Sequence, residues 1–355
     1  MSQPCLVIFR IGSLGDTVVA LPCFHAVARA FPGYRKILLT NSVDSVRAST
    51  VEAVLAGTGL IDETLYFPAG RGRLVARFAA IARELRQRSP ETLVYLAPRT
   101  SALQVYRDLL FFRATGIRNI VGAPLGLPSR ECRRDPATGE LEYEARRLAR
   151  VLGSAIPVDL APPGWDLRLS AQELGLAASR LAGIQGRRPL VALSPGAKIP
   201  SKDWGEARWA ALIRLLQLRT PEVSVVFVGA PDERPLTGRL AQLWAGAKLD
   251  LCGELTPRES AAVLAKCDLL VCHDSGPMHL AASQGTRCVA LFGNYNLPRQ
   301  WFPFGEGHTV IHEPLGVQQI GVERVADSVE AAVRALHMAP TFARSSPPGG
   351  LRISA

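Results

Sequence analysis

The chain reads as an α/β protein made of two Rossmann-like, doubly wound parallel-sheet domains facing each other across a cleft. Three observations predict this. Short apolar runs alternate with helix-length stretches from Leu6 to Leu96, the pattern of parallel strands joined by crossover helices. The alternation stops in a Pro/Gly/Arg-rich stretch, Pro124 to Pro136, and a linker, Pro157 to Pro163, then restarts at Leu190. In the second half, Asp268 to Ala282, DLLVCHDSGPMHLAA, has the form of a buried strand entering a polar turn and then a helix. At 355 residues the chain is too long for one ordinary core. The expected division is 1–160, 161–338 and a Pro/Ser/Gly-rich unstructured tail, 339–355.

Taken in order, Leu6–Arg10 is the first strand and Thr17–Phe31 a helix stopped by Pro32-Gly33. Lys36–Thr40, Leu65–Phe67 and Leu93–Leu96 are strands, with helices at Val43–Leu55 and from about Arg73 to Arg88. Glu142–Leu152 is helical. The second domain has strands at Leu190–Ser194, Val223–Gly229, Leu249–Cys252, Asp268–Cys272, Cys288–Phe292 and Thr309–His312. Its helices are Ala207–Leu218, Leu236–Trp244, Arg258–Ala265, Pro277–Gln284 and Val322–His337.

The totals narrow the function. Hydrophobic residues make up 48% and charged residues 20%, a folded soluble composition. No apolar run has the length of a membrane span, and MSQPCLVIFR lacks a basic leader and cleavage site, so a cytoplasmic location is expected. Seven cysteines without a CxxC pair are expected to be reduced core thiols, not a metal centre. Residues 1–160 carry 21 Lys/Arg against 14 Asp/Glu, within a net charge of +10. That basic half suits an anionic partner: a phosphorylated glycolipid, a membrane surface or nucleic acid.

Four loops at strand ends carry groups suited to chemistry. Gly12-Ser13-Leu14-Gly15-Asp16 follows the first strand; its glycines allow close backbone approach, and Asp16 lies at a helix start. Ser194 to Trp204 supplies Lys198, Ser201 and Lys202, donors that match phosphate oxygens. Gly229 to Glu233 offers acids for sugar or ribose hydroxyls. In the fourth loop Asp274 ends a strand, Ser275 or Gly276 caps a helix begun by Pro277, and His279 follows. The free amides of that helix start are a ready diphosphate site. A dehydrogenase would need GxGxxG and an acid about 20 residues on, and neither is present in full. A nucleic-acid-binding protein would leave the four phosphate-facing loops without a role.

RIGSLGD, SPGA…SKDW, DSGPMHL and the later ALFG…PRQWFPFG resemble, in order and spacing, the bacterial heptosyltransferases of glycosyltransferase family 9. The likeness runs from Leu6 to about His337. It implies a GT-B fold and inverting, metal-independent transfer from a nucleotide sugar, usually ADP-heptose, with no cofactor. It also implies an anionic glycolipid or other glycan acceptor in lipopolysaccharide or related surface-glycan synthesis. By resemblance Asp16 is the general base. Lys202 and the amides of Ser275 and Gly276 hold the diphosphate with His279 nearby, Asp274 binds the donor sugar, and Leu255 lies by the adenine. Residues 93–120 depart from the family by lacking an acidic strand end. Another nucleotide sugar, another acceptor or a non-catalytic sugar-nucleotide-binding relative are the alternatives.

Overall fold

The computed structural model describes residues 3–41, 51–67, 74–98, 101–184 and 189–338. The beginnings of the helices expected at Val43–Leu55 and Arg73–Arg88, and the tail 339–355, lie outside the described residues.

Two parallel sheets organise the chain. The first has five strands: β1 (Cys5–Phe9), β2 (Arg35–Asn41), β3 (Glu63–Phe67), β4 (Thr92–Tyr95) and β5 (Asn119–Val121), in the order β3-β2-β1-β4-β5. The second has six: β6 (Leu190–Ser194), β7 (Ser224–Phe227), β8 (Lys248–Asp250), β9 (Leu269–His273), β10 (Arg287–Phe292) and β11 (Thr309–His312), ordered β11-β10-β9-β6-β7-β8. Strand order reverses beside β1 and β4 in one sheet and beside β6 and β9 in the other. Such switch points open a crevice at the carboxyl ends of the strands.

Central strands CLVIF, LVALS and LLVCH are buried at every position, as expected when helices cover both sheet faces. In β1 the odd residues Val7 and Phe9 pack with Leu85, Tyr95 and Phe112, while Leu6 and Ile8 join a second core cluster. That second cluster runs on into Ala192, Cys272 and Leu280 of the other domain, so apolar packing is continuous across the pair.

Several elements differ from expectation. Thr17–Phe31 is two helices, Leu14–Val19 and Leu21–Ala30, separated at Ala20 because Pro22 begins the second. Helices Ala102–Ala114 and Ala171–Leu181 and strand β5 are additional to the elements the sequence predicts. Within Pro124–Pro136 one short turn, Leu127–Arg130, is helical. Six of the seven cysteines are buried and all seven are free thiols.

Candidate active site

The four loops meet at one cavity of about 470 Å³. From the first domain come Ser13, Leu14, Gly15 and Asp16. Asp16 Oδ2 accepts the backbone N–H and the hydroxyl of Ser13, both at 2.8 Å. Beneath it Arg10 is fully buried: Nη1 donates to Leu96 O at 2.7 Å, Nη2 donates to the Asp16 carbonyl, and Nη2 lies 3.9 Å from Asp16 Oδ1. Burial lowers the Arg10 pKa, and the neighbouring Asp16 opposes that shift. Gly12 is not in the cavity wall but lies behind it. A Cβ there would fall 2.5 Å from Asp16 Cβ, so a side chain would displace the carboxylate.

The second domain supplies the opposite wall. Ser194 is buried at the end of β6, Lys198 is exposed at the rim, and Lys202 ends a short turn, Pro200–Lys202. Lys202 Nζ lies 2.6 Å from Asp274 Oδ2 and 4.6 Å from the centre of the Tyr295 ring. Asn296 Nδ2 donates to the same Asp274 oxygen at 2.5 Å. Ser201 departs from expectation: it is exposed and points away from the cavity wall, because the turn that brings Lys202 inward turns its predecessor out.

Ser275 is extended and caps helix Gly276–Ser283, yet its hydroxyl donates to His273 O at 3.2 Å. No side chain caps the first amides of that helix, and they open to the cavity with the positive end of the helix dipole. The Glu233 carboxylate accepts from Ala230 N at 2.9 Å and lies across Gly196 and Gly229. A Cβ on those glycines would come within 1.9 Å of Glu233 Cδ and 2.4 Å of Oε2, respectively. Leu255 adds an apolar wall on that side.

The domains touch at the cavity floor. A Cβ on Gly15 would lie 2.9 Å from His279 Cδ2, and one on Gly276 would lie 2.8 Å from Leu14 Cδ2. His279 is buried edge-on to Trp301, with ring centres 6.4 Å apart. Burial lowers its pKa to about 4; Asp274 and Asp16 act in the opposite sense, and Lys202 adds to the lowering. The ring is therefore neutral at physiological pH.

His273 is also buried, at the end of β9. Its Nε2 accepts Trp204 N–H at 3.0 Å and Trp209 Nε1–H at 3.3 Å, and Nδ1 donates to Gly196 O at 3.3 Å. It fastens the loop that carries Lys198 and Lys202 to β9. Sequence reasoning singled out PRQWFPFG, which holds Trp301, without giving that residue a role, and it overlooked Tyr295 and Asn296. They follow β10, and the strand-end rule applied to β1, β6, β7 and β9 would have reached them too.

The family model for glycosyltransferase family 9 (heptosyltransferase) matches residues 140–322, slightly more than half of the 355 residues. The chain belongs to glycosyltransferase family 9. Among its relatives, the lipopolysaccharide core heptosyltransferase OpsX of Haemophilus influenzae is 26% identical over 180 residues, 50% of this chain and 49% of that protein. Lipopolysaccharide heptosyltransferase 2 of Salmonella typhimurium is 32% identical over 132 residues, 36% of this chain and 37% of that one. The chain thus spans about half the length, or less, of these curated relatives. Among solved structures, the glycosyl transferase family 9 protein from Veillonella parvula is similar at a TM-score of 0.71 and 19% identity, covering 94% of this chain and 99% of that one. The ADP-heptose lps heptosyltransferase II of E. coli follows at 0.67 and 17%, covering the same 94% and 99%. These likenesses show the fold: the family 9 chain has the two-domain GT-B architecture.

Proposed function

We propose that this chain is an inverting glycosyltransferase that moves heptose from ADP-heptose to a hydroxyl of an anionic glycolipid in lipopolysaccharide or related surface-glycan assembly. One observation carries the reading. A carboxylate of the first domain, Asp16, faces a lysine, a carboxylate and a free helix start of the second across a single cavity. That arrangement suits a nucleophile's proton on one side and a departing diphosphate on the other.

In the reaction the acceptor hydroxyl attacks the anomeric carbon while Asp16 takes its proton. The bond from that carbon to the diphosphate oxygen breaks, and its electron pair leaves with ADP. A positioned carboxylate contributes about 10²–10⁴-fold as general base. Lys202, Lys198 at the rim, and the Ser275 and Gly276 amides neutralise the charge gained by ADP, fixed donors of the kind that stabilise developing anions. Asp274 accepts sugar hydroxyls, Glu233 and Ser194 face the nucleoside side, and Leu255 lies by the base. His279, neutral and wedged against Gly15, positions the helix start and adds no charge.

The related E. coli heptosyltransferase WaaC, 16% identical, is known in complex with ADP-2-deoxy-2-fluoro heptose. Family names and this pocket chemistry together support the ADP-heptose reading. Among the described residues no helix is long and apolar enough to cross a membrane. A location at the cytoplasmic face of the inner membrane, reached peripherally, is part of the proposal. The test is thermal stabilisation and product analysis with ADP-, GDP-, UDP- and dTDP-linked sugars. A ligand at 100 times its dissociation constant adds about 2.7 kcal/mol. Stabilisation by ADP-heptose, with heptose found on a glycolipid, is the expected result; selective turnover of another nucleotide sugar would overturn the donor assignment.

A further inference from the structure

The first domain exposes an apolar face that its own fold does not use. Helix Ala102–Ala114 buries Val105, Asp108 and Phe112 against the sheet, and its orientation is pinned through Asp108. That carboxylate accepts from Tyr95 OH at 2.8 Å and from Arg107 Nη2 at 2.7 Å. With those positions inward, Leu103, Tyr106 and Leu110, spaced along the other side, stand in solvent at 78%, 53% and 72% exposure. Apolar side chains so exposed in a row, each about one helical turn from the next, mark a surface awaiting a partner.

The surroundings say which partner. Beside this helix, helix Leu74–Arg88 forms with it a groove of about 440 Å³ lined by Phe78, Ala82, Phe111 and Ala114. Arg86 lines it, Arg107 lies over the Phe78 ring, and Arg83 and Arg113 are exposed on the same two helices. The two helices hold only two acids, and both are spent: Glu84 pairs with Arg88, and Asp108 is buried. Leu125 and Leu127, also exposed, leave the carboxyl end of β5 next door. Apolar side chains set among arginines that outnumber the acids, with only Arg107 of the four paired, among the described residues, to a carboxylate on these helices, suit an anionic bilayer, with leucines at the acyl boundary and guanidiniums among the headgroups. A second copy fits poorly, because a two-fold pair would set one basic face against another. The helix starts just past the carboxyl end of β4, the neighbour of the strand that leads to Asp16. A bilayer on this face would lie beside the catalytic cleft.

We propose that Leu103, Tyr106 and Leu110, with Arg83, Arg86, Arg107 and Arg113 around them, form a peripheral docking face for an anionic lipid bilayer. The inference rests on the reading of the acceptor as membrane-borne and names the surface that meets the membrane.

Flotation with vesicles of phosphatidylcholine, with and without phosphatidylglycerol, tests it in the absence of acceptor and donor. The full chain should float with the anionic vesicles, release as salt rises, and stay behind with pure phosphatidylcholine. Leu103→Ser with Leu110→Ser should cut the bound fraction about tenfold or more. Arg83→Gln with Arg113→Gln should weaken binding and flatten its salt dependence. Both variants should keep the parent melting temperature and ADP affinity, which shows them folded. Parent chain that fails to float, or variants that float as well as it does, would overturn the proposal. So would a concentration-dependent dimer split by the leucine variant with vesicle binding intact, since the face would then serve a second copy. Vesicle binding that holds while no sugar nucleotide is turned over would count against the reaction alone, so the two failures are distinguishable.

Discussion

Lys202 Nζ lies 2.6 Å from Asp274 Oδ2, so the cation assigned to the diphosphate is already held by the carboxylate assigned to the sugar. Both side chains are largely buried, and removing one charge from such a pair leaves the other uncompensated. ADP alone must share Lys202 with a nearby anion, whereas a nucleotide sugar offers Asp274 hydroxyls to bind instead. Asp274→Asn should therefore tighten ADP several-fold while weakening the nucleotide sugar relative to ADP. Lys202→Ala should weaken both and leave adenosine little changed. Isothermal titration with the three ligands checks this. Equal losses for ADP in both variants would mean that the pair shapes the wall and does not read the donor.

Asp16 is held by Ser13 at the first helix turn, poised and partly open to the cavity. Asp16→Asn preserves the shape and removes the basic oxygen. Turnover should fall about a hundredfold or more, the range of general-base contributions. Donor affinity should stay within a small factor, because the proposed donor contacts lie in the second domain. Titration with the donor and a turnover assay separate the two quantities; near-normal turnover would remove Asp16 from the role of base.

Strands buried on both faces, such as LVALS and LLVCH, were legible because burial forces an unbroken apolar run. Helix Ala102–Ala114 was not, and its pattern explains why: the inward face carries Asp108 and the outward face carries Leu103, Tyr106 and Leu110. Periodicity there points the wrong way round, since the tertiary bond from Tyr95 to Asp108 overrules it. Helix Ala171–Leu181 had a readable start, Ser170 three residues before Glu173, whose carboxylate accepts the Ser170 N–H at 2.7 Å. Loops after β1, β6, β7 and β9 announced themselves by glycine beside charge. The loop after β10 stood out only by its family resemblance, with no role attached, because Asn296 and Trp301 work by fitting Asp274 and His279, contacts that only the fold creates.

The buried His279 gives stability a pH dependence of predictable sign. Above its ordinary value of 6.5 the ring is neutral in both folded and unfolded chains. Between 6.5 and about 4 the unfolded chain binds a proton that the folded chain refuses, so stability falls as pH falls through that window. The loss amounts to something on the order of 3 kcal/mol at the acid end. His273 and His25 are shifted in the same direction by burial and remain in either protein. His279→Gln should thus be less stable at pH 7 yet lose less on acidification than the parent. Denaturant titrations from pH 7 to pH 4 measure the two slopes, and parallel slopes would contradict the neutral buried ring.

Transfer should persist in excess EDTA. Metal-dependent sugar transferases commonly hold their ion with an Asp-x-Asp triplet, and none occurs in the sequence. In the proposed mechanism the charge of the leaving diphosphate is met instead by Lys202, Lys198 and the uncapped start of helix Gly276–Ser283. Activity abolished by EDTA and restored by Mg²⁺ or Mn²⁺ would defeat this account of how the anion is met.

Gly15 offers a test of whether the contact between the domains matters to the reaction. It lies in helix Leu14–Val19, where alanine is conformationally acceptable and would by itself favour the helix. Its Cβ, however, would fall 2.9 Å from His279 Cδ2, and that ring is buried against Trp301 with little room to retreat. The clash must be relieved by parting the first helix from the helix that begins at Gly276. Asp16 would then move away from the donor wall while each wall keeps its own structure. Positioning errors of about 1 Å cost on the order of a hundredfold in turnover. Gly15→Ala should accordingly bind ADP almost normally, melt within a few degrees of the parent, and lose transfer by about ten- to a hundredfold. Unchanged turnover would show that the approach of Gly15 to His279 is incidental to catalysis, and that the cavity tolerates a wider cleft than its geometry suggests.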